Sequence, residues 1–436
     1  MPHREFKRRR QQLMKMMEPG SIAILPAAVH AIRNRDAHYP YRQDSDFYYL
    51  TGFPEPEAVA VLIPGRKSAE YILFCREKDP ERELWDGLRV GQGGACKEYG
   101  ADDSFPMTDL DEILPRMLEE PRRIYYAMGC NLDLDRRLAD WISHLRLKSR
   151  SGIRGPLEFI ALDHYLHEMR LYKSKAELDC MRKAVEISVQ AHLRAMRSCR
   201  PGLWEYQLEA EFLHECAMLG ATRQAYTPIV GGGANACILH YNENRDLLKD
   251  GDLVLIDAGC EYQCFASDIT RTYPVNGRFS DPQRTLYELV LEAQQAAIAQ
   301  IKPGNHWNDP HDAAVRVITK GLKSLGLLKG SSVPQLIRKE TYKRFYMHRS
   351  GHWLGMDVHD VGDYKIDGEW RLLEPGMTLT VEPGLYVPAH AKQAPPEFWN
   401  IGIRIEDDVM VIKGGHEVLS AALPRSVAEV ETVMAG

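Results

Sequence analysis

Two aspartates frame a short segment at 257–272 that reads DAGCEYQCFASDITRT. Asp257 ends an apolar run, and Asp268 lies near the start of a second strand-like run. A hairpin with Tyr262 and Gln263 as its turn would place Asp257 directly opposite Asp268, with Cβ atoms about 4.5–5.5 Å apart. Two carboxylates at that distance repel each other unless a cation lies between them or one is protonated. The pair predicts a metal site, with a strand end and a turn-side cap as the structural alternative.

The two cysteines between these aspartates are competing ligand candidates. In the predicted hairpin, Cys264 shares a face with Asp268 but lies four residues away, roughly 13 Å along the strand. Cys260 points to the opposite face unless a bulge at Gly259 turns it. We therefore expect both thiols to be small packing residues, and a zinc–thiolate site is the less favoured alternative.

Two later segments end in carboxylates on a polar strand face. Residues 377–382 alternate, with apolar side chains on one face and Glu382 on the other, and residues 401–406 do the same with Arg404 and Glu406 on the polar face. Four carboxylates that meet in a core would be strongly destabilising without cations. The set suits hard divalent ions such as Mn²⁺ or Mg²⁺, with Co²⁺, Zn²⁺ or Fe²⁺ also possible by ligand type. Four carboxylates favour two ions with shared ligands, about 3.5–4 Å apart.

Histidines supply the imidazole candidates. His348, His352 and His359 lie close together in the sequence HRSGHWLGMDVHD. A lone histidine is more often a satisfied core residue, but this cluster favours a functional site. His240 is a further candidate with weaker support.

The elements that must position these residues divide the chain into two parts. Strand-like runs bounded by proline or glycine occur at 21–27, 58–64, 71–75 and 123–128, with helical patterns between them. This alternation predicts an N-terminal α/β domain over residues 1–172.

The second part, residues 173–436, reads differently. Ser174 and Glu177 have the capping-box spacing, so a long helix is predicted to begin there. Further helices are predicted at about 203–219 and 284–301, and strands at 253–256, 269–273, 377–381 and 401–411. Helices followed by paired strands predict an α+β domain with helices on one face of an antiparallel sheet.

The overall composition excludes several classes of function. The formal net charge is −6, which does not favour nucleic acid or an anionic membrane. No run of 18 apolar residues occurs, so no membrane span is expected. Nine cysteines, without a CxxC, indicate reduced thiols in a cytoplasmic protein. The basic run at 3–10 predicts an amphipathic helix with a solvated charged face rather than a targeting peptide.

Other hydrolytic machinery has no counterpart in the sequence. It contains neither an HExxH zinc motif nor a GxSxG nucleophile elbow. The glycines at 231–233 lack the GK[ST] of a phosphate-binding loop, and a tight turn is the better interpretation.

In these residues the chain resembles the pita-bread metallopeptidases, the family of aminopeptidase P, prolidase and methionine aminopeptidase. The resemblance runs in order through ILHYNEN at 238–244, VLIDAG at 254–259, SDITRT at 267–272, GHWLGMDVHDVG at 351–362, TVEPGLY at 380–386 and GIRIEDD at 402–408. Within the family, YRQDSDFYYLTGFPEP at 41–56 and LWDGLRVG at 84–91 are most similar to bacterial aminopeptidase P, the Xaa-Pro aminopeptidase. The resemblance implies a C-terminal pita-bread (creatinase/aminopeptidase-like) catalytic domain and a creatinase/prolidase-like N-terminal domain.

The resemblance also implies a metal centre with two divalent ions, usually Mn²⁺ in this family. Asp257 would bind one ion, Asp268 and Glu406 would bridge both, and His352 and Glu382 would complete the other site. The nucleophile would be a water or hydroxide that bridges the ions.

Other residues would act on the substrate. His240 and His359 would contact the scissile carbonyl, with His359 as the candidate oxyanion donor and Glu382 as the candidate proton shuttle. His348 and Arg404 would border the pocket for the proline ring, and Tyr386 and Trp85 are further candidates for substrate binding, with a core role for Trp85 as the alternative. The family often has glycine after the first histidine of the cluster, whereas Arg349 stands there in this chain.

The function implied is hydrolysis of the bond between an N-terminal residue and a following proline, in a homodimer or homotetramer. A prolidase that cleaves only Xaa-Pro dipeptides is the closest alternative. A catalytically inactive peptide-binding member of the fold is a remote one, because such relatives are expected to lack metal ligands and this chain has all five.

Overall fold

The computed structural model describes residues 1–330 and 332–436. The chain divides into two compact units, Met1–Met169 and Arg170–Gly436. The domain limits at 172 and 173 stay predictions. No helix in the described ranges is both long enough and apolar enough to cross a membrane.

The first unit is built around one mixed sheet. Its helices are α1 (His3–Met16), α2 (Ser45–Thr51), α3 (Pro80–Asp86), α4 (Gly91–Tyr99), α5 (Leu110–Met117), α6 (Leu132–Leu147) and α7 (Leu162–Leu171), the last of which runs into the second unit. Its strands are β1 (Ser21–Pro26), β2 (Ile32–Asn34), β3 (Ala37–His38), β4 (Val59–Leu62), β5 (Tyr71–Cys75), β6 (Asp103–Pro106), β7 (Arg123–Tyr125) and β8 (Glu158–Ile160). Six of them form a sheet in the order β6-β5-β4-β1-β7-β8.

The four predicted strands of this unit are all present, as β1, β4, β5 and β7. They are central because their apolar residues are buried on both faces of the sheet. Strand β1 pairs antiparallel with β4 and parallel with β7. The mixed strand directions, with helices between strands, confirm the expected α/β architecture.

Helix α1 is amphipathic as predicted, but its charged face is not fully solvated. Arg9 is 0 % exposed, and its Nη1 donates to the carbonyl of Tyr49 at 2.9 Å. Arg10 is also buried and donates to the carbonyl of Leu50 at 2.8 Å, with its guanidinium 4.0 Å from the ring centroid of Tyr71. The prediction of a solvated face is therefore wrong for these two arginines, because carbonyl oxygens and aromatic rings replace their water.

The second unit has longer helices and several small sheets. Its helices are α8 (Lys175–Ser198), α9 (Glu205–Met218), α10 (Asp281–Ile298), α11 (Asp309–Ser324), α12 (Val333–Arg338) and α13 (Val427–Ala435). Its strands are β9 (Arg223–Gln224), β10 (Ile229–Gly232), β11 (Leu253–Asp257), β12 (Cys260–Tyr262), β13 (Phe265–Ala266), β14 (Thr270–Pro274), β15 (Lys365–Ile366), β16 (Glu369–Trp370), β17 (Thr378–Val381), β18 (Gly384–Val387), β19 (Ile401–Arg404), β20 (Asp407–Ile412) and β21 (Gly415–Val418).

The predicted capping box at the start of α8 is present. The Ser174 hydroxyl accepts from the backbone N–H of Glu177, and the Glu177 carboxylate accepts from the backbone N–H of Ser174 at 2.9 Å. The two other predicted helices are α9, which lies within its predicted range, and α10, which begins and ends three residues earlier than predicted. These helices bury their apolar faces in one core with the strands that carry the site residues.

The hairpin that carries the two aspartates is real, but its predicted register is wrong. Its turn is Gln263–Cys264, both at positive φ (49° and 65°), and Tyr262 pairs with Phe265. In the β11–β14 ladder, Asp257 therefore lies opposite Thr270 rather than Asp268. The error amounts to two positions, and an even shift keeps Asp257 and Asp268 on the same face of the hairpin.

The predicted strand at 401–411 is two strands, and the chain changes sheets between them. Strand β19 pairs with β18, and β20 pairs with β17. The breaks leave Glu406 between β19 and β20, and Glu382 between β17 and β18. Both glutamates thus lie where one antiparallel ladder ends and the next begins, so their side chains are placed by two ladders each.

Candidate metal centre

Three groups meet where strand β11 ends. The hydroxyl of Tyr226 lies 2.5 Å from Oδ1 of Asp257 and 2.5 Å from Oδ1 of Asp268. A hydroxyl carries one proton, so it donates to one carboxylate at a time. The two aspartates were predicted from the sequence but Tyr226 was not, because it lies in a loop between β9 and β10 without a local pattern that would single it out.

His352 lies against this pair. Its Nε2 lies 3.2 Å from Oδ2 of Asp268 and 3.9 Å from Oε1 of Glu382. Its Nδ1 lies 2.9 Å from the backbone carbonyl of Trp353. A carbonyl can only accept, so Nδ1 carries a proton and Nε2 faces the carboxylates. This contact orients the ring in the way that ligating histidines are usually held.

Glu406 closes the group. Its Oε2 accepts from the Thr270 hydroxyl at 2.6 Å. Asp268, His352 and Glu406 each present a ligand atom, and these atoms lie within 4.8 Å of one another. Among the described residues, this is the one set of three or more potential ligands that converges in this way.

Arg404 joins the metal-ligand candidates to a second group of polar side chains. Its Nη2 donates to Oδ2 of Asp257 at 2.5 Å, and its Nη1 donates to the hydroxyl of Tyr386 at 2.9 Å. That hydroxyl lies 2.9 Å from Nε2 of His348. Arg404, Tyr386 and His348 therefore form one hydrogen-bonded row that begins at Asp257.

The pKa values show that the carboxylates exceed the cations around them. Burial raises the pKa of Glu382 to about 7 and raises that of Asp257, and burial with the charges of Asp268 and Glu382 raises that of Glu406 well above its usual range. Burial would also raise the pKa of Asp268, but the hydrogen bond and charge of His352 and the hydrogen bond from Tyr226 together outweigh burial, and the pKa is lowered. Burial would lower the pKa of His352, but Asp268, Glu382 and the carbonyl of Trp353 together outweigh it and raise the pKa to about 9. Such a cluster keeps its charge only with additional cations.

A cavity of about 430 Å³ opens onto these groups. Its lining contains all five predicted metal ligands, and also His240, His348, Arg349, His359 and Arg404. His240 and His359 are exposed at its mouth, while Tyr386 is buried behind His348. The volume and the mixture of apolar and charged walls are typical of small-ligand pockets.

Apart from Tyr386, which lies behind the wall, Trp85 is the only predicted site residue that does not line this cavity. It lies on α3 of the first unit with 86 % of its surface exposed. The alternative core role for Trp85 is therefore wrong, because a core residue would be covered.

The cysteines do not join the converging ligand set. Cys260 is buried, and its thiol donates to the carbonyl of Ala184 in α8. Cys264 lies in the hairpin turn. The expectation that carboxylates rather than thiols form the site therefore agrees with the convergence of Asp268, His352 and Glu406.

Comparisons with known proteins match both parts of the chain. Residues 6–125 match the family described as aminopeptidase P, N-terminal domain, and residues 179–413 match metallopeptidase family M24. Xaa-Pro aminopeptidase of Escherichia coli is 45 % identical over 99 % of this chain and 97 % of its own. Xaa-Pro aminopeptidase 3 of Homo sapiens is 36 % identical over 98 % of this chain and 85 % of its own.

Solved structures agree with these matches. Aminopeptidase PepP of Pseudomonas aeruginosa is 61 % identical with a TM-score of 0.99, over 100 % of this chain and 98 % of that one. A zinc-substituted aminopeptidase P of Escherichia coli in complex with product is 44 % identical with a TM-score of 0.97, at the same coverage. These matches confirm the expected α+β pita-bread fold with an N-terminal α/β domain. The chain belongs to metallopeptidase family M24 and carries the N-terminal domain of aminopeptidase P.

Proposed function

We propose that this chain is an Xaa-Pro aminopeptidase, which hydrolyses the bond between an N-terminal residue and a following proline in peptides. The observation that carries the proposal is the buried set of four carboxylates and one imidazole on the wall of a cavity. Full-length relatives named Xaa-Pro aminopeptidase support the substrate class over the prolidase alternative. The complete ligand set argues against an inactive peptide-binding protein.

The ligand set fits two divalent ions. Asp257 is proposed to bind one ion, Asp268 and Glu406 to bind both, and His352 and Glu382 to complete the second site. The excess of buried negative charge and the shared Asp268–His352–Glu406 group support this assignment. Oxygen donors with a single imidazole suit Mn²⁺, which we propose as the metal. The ions, when bound, supply Lewis acidity for the substrate carbonyl and a lower pKa for the attacking water.

Side chains around the ligands are placed to handle the substrate. His359 is proposed to donate a hydrogen bond to the oxyanion, and its ring lies 4.4 Å from that of His352. His240 is proposed to contact the same carbonyl from the cavity mouth. Glu382 is proposed to carry the proton to the leaving nitrogen, because its carboxylate lines the cavity and is a group that can accept and donate a proton there.

The proline pocket is proposed to lie along the row His348, Tyr386 and Arg404. Their hydrogen bonds to one another fix this wall before substrate arrives. An Xaa-Pro amide has no N–H and a fixed ring, so its recognition depends on shape rather than on a backbone donor. A rigid wall of this kind supports a preference for the ring.

Assembly and location are also proposals. We propose a homodimer or homotetramer in the cytoplasm, with no nucleic acid or membrane as a partner. The exposed Trp85 is proposed to bind substrate in the cavity of a neighbouring subunit. This proposal rests on its exposure and on its absence from the cavity lining of its own chain. Light scattering of the full chain measures the assembly.

The experiment that tests the function compares the tripeptide Ala-Pro-Ala with the dipeptide Ala-Pro at defined Mn²⁺ concentrations. An Xaa-Pro aminopeptidase releases alanine from the tripeptide, and Ala-Ala-Ala serves as the control without proline. Cleavage of the dipeptide alone would identify a prolidase instead. Cleavage of Ala-Ala-Ala at the same rate as Ala-Pro-Ala would show that the enzyme is not specific for proline.

A further inference from the structure

Arg349 follows His348 and lines the same cavity, at the position where the family often has glycine. Its side chain is exposed but held in place. Nη2 donates to Oδ1 of Asn308 at 2.6 Å, and the guanidinium lies 4.8 Å from the ring centroid of Trp370. A long exposed side chain normally has many rotamers, so these two contacts reduce the entropy it would lose on binding a ligand.

The positive charge of Arg349 is not neutralised by the chain. Within the ranges 1–330 and 332–436, no carboxylate lies within ion-pair distance of its guanidinium. The ammonium of Lys365 lies 4.5 Å from the centroid of the same Trp370 ring, so two cations flank one indole. Burial lowers the pKa of His311, and Arg349 is the largest charge that lowers it further. The surroundings of Arg349 thus favour an anionic ligand.

The position of Arg349 relative to the ligands indicates which part of a peptide it meets. His348 is partly buried, and its Nδ1 lies 3.7 Å from Oε2 of the proposed ligand Glu382. Arg349 is the next residue and is exposed. An aminopeptidase holds the N-terminal residue next to the reacting groups, and the rest of the peptide leads out to solvent. Arg349 therefore faces the substrate beyond the proline.

We infer that Arg349, stacked on Trp370, binds the C-terminal carboxylate of the residue that follows proline. The guanidinium fork matches a carboxylate geometrically and carries a permanent charge. This inference rests on the proposed function and deepens it, because it names short peptides with a free C-terminus, tripeptides in particular, as the preferred substrates.

The test measures kcat and KM for Ala-Pro-Ala, its C-terminal amide and Ala-Pro-Glu amide, with wild type and Arg349→Gln. Wild type is expected to show a lower KM for the acid than for the amide. Arg349→Gln is expected to raise KM for the acid about fivefold, the size of a largely exposed ion pair, with little change in kcat. The amide is expected to change by less than twofold, and Arg349→Lys should recover part of the loss for the acid.

Arg344→Gln is the matched control, because Arg344 is exposed on the neighbouring turn and does not line the cavity. It should leave all three peptides unchanged. Equal effects of Arg349→Gln on the KM of Ala-Pro-Ala and of its C-terminal amide would overturn the inference. An effect of Arg349→Gln on the KM of Ala-Pro-Glu amide alone would also overturn it. If wild type cleaves the peptides but shows no preference for the acid, the inference is wrong while the proposed function stands. Failure of wild type to cleave any of them would refute the function itself.

Discussion

Glu406 and Asp407 are neighbours in the chain, but they belong to two buried clusters of opposite kind. Asp407 accepts from Arg271 at 2.8 Å, Arg425 at 3.0 Å, Gln294 at 2.9 Å and Ser420 at 2.6 Å. Glu406 accepts from Thr270 at 2.6 Å, and the charges that act on it most strongly are the carboxylates of Asp268, Glu382 and Asp257. The charge of Asp407 is compensated by two arginines of the chain, whereas the charge of Glu406 is not compensated.

The difference separates a structural role from a functional one. The Arg271–Asp407 pair is fully buried, and its side chains satisfy each other. The carboxylates around Glu406 repel each other and gain nothing from folding alone. A buried charge without a compensating charge in the chain is typical of a ligand-binding site, and here the ligands that would compensate it are cations.

The largest expected effect concerns the cluster of carboxylates around Glu406. Removal of metal by a chelator should reduce Ala-Pro-Ala cleavage to background, and Mn²⁺ should restore it. Circular dichroism should change little, because the Asp407 cluster holds the strands without metal. Full activity in protein shown to be metal-free by elemental analysis would contradict the assignment of the site.

Substitutions in the cluster around Asp407 should change the free energy of unfolding rather than metal binding. Asp407→Asn leaves Arg271 buried beside a neutral partner, and removal of one partner of a buried ion pair costs about 3–5 kcal/mol in the free energy of unfolding. Urea denaturation measures this loss. Ser420→Ala removes the hydroxyl that donates to the same carboxylate and accepts from the backbone N–H of Asp408, but it leaves the ion pair intact and should cost about 2 kcal/mol. Equal losses for the two variants would mean that the charge on Asp407 is not the important feature.

Buried His192 should make the free energy of unfolding depend on pH. It is fully buried behind the hairpin, its Nε2 lies 3.0 Å from the carbonyl of Ala258, and burial lowers its pKa from 6.5 to about 4. Because the folded pKa is the lower one, its contribution is complete above pH 6.5 and is lost as pH falls toward 4, by up to about 3 kcal/mol.

The measurement is urea denaturation of metal-free wild type and His192→Gln between pH 7 and pH 4.5. The wild type should lose more of its free energy of unfolding over this range than the variant. Parallel curves for the two proteins would show that His192 is not held neutral by the fold.

Alternating polarity was enough to predict Glu382 and Glu406 as candidate ligands, because a carboxylate on the polar face of a strand can be recognised from the neighbouring residues in the sequence. It did not show the sheet change at these residues, since pairing partners lie elsewhere in the chain. The hairpin register was missed by two positions because the turn Gln263–Cys264 adopts positive φ without the glycine or asparagine that usually signals it. The family resemblance, rather than periodicity, supplied the roles of the ligands.

Long-range partners explain the other differences between sequence and structure. Tyr226 reaches Asp257 and Asp268 from a loop, and no spacing rule connects them. Arg9 and Arg10 are followed by polar residues and resemble a solvated face, but the carbonyls of Tyr49 and Leu50 cover them from a segment forty residues away. A charged residue whose partner is a distant backbone atom carries no signal in its own neighbourhood.

The central claim is that the cluster around Glu406 is assembled for cations rather than for stability. The most direct test is the free energy of unfolding of metal-free Glu406→Gln. Burial and the neighbouring carboxylates raise the pKa of Glu406 well above its usual range, so its charge does not stabilise the metal-free fold, and glutamine, which has nearly the same shape, should be tolerated. We predict a value within about 1 kcal/mol of wild type, and no increase in Tm with Mn²⁺. A loss as large as that of Asp407→Asn, with the Mn²⁺ response retained, would contradict the claim.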